Sequence, residues 1–155
     1  MKDLFRSPLE GEFPPIDDVL IRWAEQKLGR RLPTSLIEIL RHQNGGYLRR
    51  WVFPTPVKNH SADGFVPVEY LGGISRDEEA YNSLLCTAYM TREWGLPEGL
   101  VLVCGDGHTW IALDYRQNGP EPTVTFIDAE MGQEISLSPT FSEFIAQLKE
   151  DEPAG

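Results

Sequence analysis

The sequence predicts an α+β fold, a largely antiparallel sheet flanked by helices, with helices at both the N- and C-terminal ends. Apolar residues recur at helical spacing early (Ile16, Val19, Leu20, Trp23, Ala24, Leu28) and late (Phe141, Phe144, Ile145, Leu148) in the chain. Between them lie segments rich in β-branched and aromatic residues, joined by short glycine-containing turns. With 155 residues and no long low-complexity stretch, the chain can bury one sizeable core, so a single domain is expected over 1–155, packed over about 16–149.

The first helix has Asp17 and Asp18 at its positive end and Gly29 as its stop signal. A second begins near Pro33, whose fixed φ suits a first turn, and buries Leu36, Ile37 and Leu40 before Asn44-Gly45-Gly46 ends it. Tyr47 to Phe53 reads as a short strand limited by Pro54 and Pro56, placed at an edge because proline cannot donate to a ladder. Pro56 to Gly64 reads as a loop, and Phe65 to Leu71 as a further strand terminated by Gly72-Gly73. Asp77 to Trp94 has an acidic start and apolar residues at Tyr81, Leu84, Leu85, Ala88 and Tyr89, which predicts a third helix. Leu100 to Cys104, Thr109 to Tyr115 and Thr123 to Ile127 then predict a meander whose first connection is Gly105-Asp106-Gly107-His108. Helix-start chemistry appears twice before the last helix, in Ser138 ahead of Pro139 and in the Thr140 to Glu143 capping box.

Charge narrows the partners. Twenty-four acidic residues against fourteen basic ones leave a net charge of −10, which repels nucleic acid and anionic membranes and attracts basic proteins at a distance. The same charge also serves solubility alone. The opening residues lack the apolar core of a secretory signal and no later segment is long enough to span a bilayer, so a cytoplasmic location is expected, with Cys86 and Cys104 as buried free thiols.

The Leu-Pro-x-x-Leu-x-x-x-Leu segment from Leu32 to Leu40 running into Asn44-Gly45-Gly46, the turn Gly105-Asp106-Gly107-His108 followed by Ile111-Ala112-Leu113-Asp114, and Val124 to Asp128 before a Phe-rich final helix together resemble the SUKH superfamily. The likeness spans about residues 16–149. It departs from the commonest pattern in carrying His108 after the turn and in having no clear Gly-Trp pair early in the domain. The resemblance implies that the late motif sits on consecutive strands, with Asp114 at a strand end, and that the protein is an interaction domain. Many bacterial members look like immunity factors that neutralise a toxin, frequently a nuclease or deaminase, and others sit in regulatory proteins. The expected function is therefore stoichiometric binding of a basic protein toxin domain. The alternative is a regulatory or scaffold domain that binds a cellular protein or peptide.

No enzyme is expected. Asp106, His108 and Asp114 are the one cluster from which a general base with an orienting carboxylate could be built, but no nucleophile accompanies them. An aspartate between glycines is ordinary turn chemistry. GxSxG, HExxH and phosphate-loop motifs do not occur, and His42, His60 and His108 are too scattered for a metal site, so neither metal nor cofactor is expected. Trp23 and Trp110 belong to the core by their positions. The candidate partner-binding residues are Trp51, which follows two arginines, the acidic run Asp77, Glu78 and Glu79, and Asp106, His108 and Asp114.

Overall fold

The computed structural model describes residues 4–60, 62–77, 79–117 and 119–150. Helix α1 (Asp18–Leu28) starts at Asp17, whose carboxylate accepts the Leu20 N–H at 2.8 Å, and stops at Gly29 in the left-handed conformation. Helix α2 (Thr34–His42) follows directly, and an Arg41–Asp18 ion pair of 2.6 Å ties the two together. Helix α2 ends two residues before Asn44, which serves a different purpose from helix termination. The buried Asn44 amide donates to the carbonyls of Pro14 (2.7 Å) and Ile74 (2.8 Å) and accepts the Ile74 N–H (2.7 Å), clamping two distant segments to the end of α2.

The strands group into three hydrogen-bonded sheets where one was expected. Strands β1 (Phe5–Ser7), β2 (Gly46–Leu48) and β5 (Tyr70–Leu71) form one, and β3 (Val52–Pro54) and β4 (Phe65–Pro67) a second. The third is the antiparallel meander of β6 (Leu100–Gly105), β7 (Thr109–Asp114), β8 (Thr123–Asp128) and β9 (Gln133–Ser138). A Gly72 N–H bond to the Val103 carbonyl (2.7 Å) crosses the seam between β5 and β6. Tyr47 to Phe53 and Phe65 to Leu71 are therefore each two strands. They bend together: Arg49 turns aside to bond the Leu4 and Phe5 carbonyls, while Leu48 N–H to Glu69 O (3.0 Å) and Val68 N–H to Trp51 O (2.7 Å) carry the ribbon across the bend.

The helix expected over Asp77 to Trp94 is shorter. A 3-10 turn at Leu84–Cys86 leads into α3 (Thr87–Trp94), and the preceding residues are held in turns by short polar side chains. The Asp77 carboxylate accepts the Glu79 N–H (3.0 Å) and the Ser83 hydroxyl accepts the Leu85 N–H (3.2 Å), bonds that compete with helical ones. Helix α4 (Phe141–Ala146) is capped by Thr140, as one of the two start signals predicts.

The main core gathers Leu20, Ala24, Leu36 and Leu40 from α1 and α2 against Val101, Val103, Ile111, Leu113, Val124 and Phe126 of the meander, with Phe53 stacked on Phe144 of α4 at 5.0 Å. Leu100, Leu102, Trp110, Ala112 and Ile127 pack with Leu96 in a second cluster. The β6 and β7 strands are thus covered on both faces, which is why they read as continuous apolar runs. Val19, counted in the apolar stripe of α1, is 58% exposed.

Candidate partner interface

The turn between β6 and β7 is built as its sequence implies. Asp106 accepts the N–H groups of Thr109 (2.8 Å) and His108 (3.2 Å), and its own N–H bonds the Thr109 carbonyl. Gly107 takes φ +104°, and a Cβ at Gly105 would stand 2.3 Å from the Trp110 ring. Partial burial pushes the Asp106 pKa up, but the backbone N–H groups of Thr109 and His108 outweigh it and leave the carboxyl below its ordinary range.

His108 Nδ1 lies 3.9 Å from Asp106 Oδ1, and both side chains are exposed. Asp114 is at the opposite end of β7, about 17 Å away at strand rise, so the three residues do not converge on a reaction centre. Asp114 is also only 4% exposed. Its carboxylate accepts Arg116 Nε (3.0 Å), Arg116 Nη2 (2.8 Å) and the Thr125 hydroxyl (3.0 Å), and Arg116 continues to Glu134 at 2.6 Å. Burial raises the Asp114 pKa, and these hydrogen bonds together with the Arg116 charge more than reverse the effect. The expectation that Asp114 contacts a partner is therefore corrected: it is an internal anchor joining β7 to β8 and β9.

Trp51 lies between β2 and β3, half-buried, with its ring edge against Phe65 at 6.1 Å. Asp77 and Glu79 occupy the turn ahead of the 3-10 segment, and Glu78 lies outside the described residues. The same turn carries Tyr81, which is 62% exposed.

Tyr81 leads to a surface that the sequence reading did not assemble. Tyr47 on β2 and Tyr70 on β5 pack edge to face at 6.4 Å, and the Arg6 guanidinium covers Tyr47 at 5.2 Å. The Tyr47 phenol is raised above its ordinary pKa by partial burial, then by the charges of Glu10, Tyr81 and Glu69, with Arg6 acting in the opposite direction. The Asn82 amide bonds the Glu10 carbonyl (3.3 Å), holding the Tyr81 turn against the N-terminal segment. Glu69 and Asp106 line one small cleft, with Cys104 beneath them. Burial pushes the Cys104 thiol up to about 12 and the Cys86 thiol up to about 11, so both are inert thiols inside the fold.

The result is a face of tyrosines interleaved with carboxylates. Its cleft of about 60 Å³ is far below the several hundred Å³ that a small-molecule site encloses. Among the described residues, no group of three or more His, Cys, Asp or Glu is placed to hold a metal. Among them, too, no helix is long and apolar enough to cross a membrane. Chemically this face suits docking, since tyrosine offers large contact area for few rotatable bonds and carboxylates select a cationic counterpart.

A family model described as SMI1 / KNR4 family (SUKH-1) matches residues 15–147. No curated protein matches the chain.

Proposed function

The chain belongs to the SMI1 / KNR4 family (SUKH-1), and from that premise we propose that it is a non-catalytic immunity protein that neutralises a cognate toxin by stoichiometric binding in the cytoplasm. The toxin domain is basic and of the nuclease or deaminase class. The observation that carries this reading is the grouping of Tyr47, Tyr70 and Tyr81 with Glu10, Glu69 and Asp106 on one face. A toxin that acts on nucleic acid must present cations to phosphate, and a face of carboxylates competes for those cations while steering the encounter. The tyrosines then supply the desolvated contacts that slow dissociation. Asp77, Glu79 and His108 extend the face through the turns they share with Tyr81 and Asp106.

The test is co-expression with the toxin encoded beside this gene. Growth rescue and a one-to-one complex are expected, and the exposed pair Tyr81→Ala and Glu69→Lys weakens that complex at least about tenfold, or ~1.4 kcal/mol, without changing the melting temperature. Absence of a complex at low salt, or full affinity in the double variant, overturns the proposal.

A further inference from the structure

The molecule carries a second concavity of opposite character. A groove of about 650 Å³ runs between α1 and α3 and is lined by Lys27, Arg30 and Arg92 against a single carboxylate, Glu98. In a chain with net charge −10 this is a local reversal of sign. Trp23 and Lys27 stand at i and i+4 on one face of α1, Arg30 follows just past the Gly29 cap, and Arg92 lies on α3 across the groove. Neither Lys27 nor Arg92 forms an ion pair among the described residues. The Arg76 guanidinium lies 4.6 Å from the Trp23 ring centroid, adding a further cation beside the groove. Between the charges the lining is mixed, with Leu28, Leu85 and Leu100 set among Thr87 and Thr91.

The arrangement discriminates among anions. The cations come from separate segments, Lys27 from the last turn of α1, Arg30 from beyond its Gly29 cap and Arg92 from α3, with Trp23 about 6 Å back from Lys27 along the helix axis. A ligand with spaced negative charges and apolar side chains between them matches cations on separate segments with Leu28, Leu85 and Leu100 among them. A nucleic acid strand would meet the repulsion of the remaining surface over its whole length.

We propose that the groove between α1 and α3 docks an acidic, leucine-bearing peptide segment of a partner protein, with Lys27, Arg30 and Arg92 pairing its carboxylates and Trp23 and Leu85 receiving its apolar side chains. This site does not rest on the immunity reading, and its lining shares no residue with the cleft of the tyrosine face. The experiment is fluorescence anisotropy of the full chain with a short fluorescein-labelled peptide of glutamate and leucine at low salt. Saturable binding is expected, weakened at least about tenfold by Lys27→Glu with Arg92→Glu, both exposed, and unchanged by Tyr81→Ala with Glu69→Lys. Circular dichroism confirms that the variants fold. Five results overturn the proposal: no saturable binding, equal binding by the charge-reversed variant, equal binding of a lysine and leucine peptide, tighter binding of oligothymidylate or pyrophosphate than of the acidic peptide, or self-association of the chain that the charge reversal abolishes.

Discussion

Asp114 shows how a single residue can be correctly placed from sequence and misassigned in role. Its position at a strand end follows from the apolar run before it, but its burial and its hold on Arg116 and Thr125 depend on β8 and β9 lying alongside. Because its folded pKa is lowered beneath the unfolded carboxylate value of about 3.9, Asp114 contributes stability that is complete above that value and is lost as pH falls through the folded pKa. Asp114→Asn is therefore expected to cost roughly 1.5–3 kcal/mol near neutral pH, the range for hydrogen bonds to charged groups, and less near pH 3. Urea denaturation at both pH values measures this, and an equal loss at each would contradict the assignment. Asn44 shows the same limit: as part of Asn44-Gly45-Gly46 it reads as a helix terminator, yet its amide is spent on Pro14 and Ile74, thirty residues away on either side.

Among the elements, those with a long apolar period were legible and those sustained by partners were not. Helices α1, α2 and α4 and strands β6, β7 and β8 each carry their own pattern. Strand β1 has only three residues and exists by pairing with β2, while β9 is mostly polar because it forms the outer edge of the meander. Strand β1 has no period to detect, and in β9 only Ile135 and Leu137 alternate with polar residues. The shortened α3 has the opposite cause, a helical apolar spacing overruled by the turn bonds of Asp77 and Ser83. At α4 local chemistry does decide: Thr140 Oγ1 accepts the Glu143 N–H at 3.1 Å. Thr140→Ala is expected to cost about 1 kcal/mol, lowering the melting temperature by roughly 3 °C for a chain of this size. Calorimetry checks it, and no shift would show that packing of Phe141 and Phe144 alone holds the helix.

At the level of the whole molecule, Lys27, Arg30 and Arg92 line one groove while Glu69 and Asp106 line a separate cleft. If the tyrosine face meets a basic toxin, the association rate constant falls steeply as salt is raised while the dissociation rate changes little, because screening acts on the encounter more than on the packed contact. Stopped-flow kinetics across a salt series tests this, and a salt-independent association rate argues for a purely apolar interface. The α+β class, the meander, the Gly105-Asp106-Gly107 turn and the net charge all follow from the order of residues along the chain, since each depends on local periodicity, turn geometry or a simple sum. The meeting of Glu10, Tyr47, Glu69, Tyr81 and Asp106 on one face, the withdrawal of Asp114 into the interior, and the facing of Lys27 by Arg92 arise from packing between distant segments, which no local window of sequence contains.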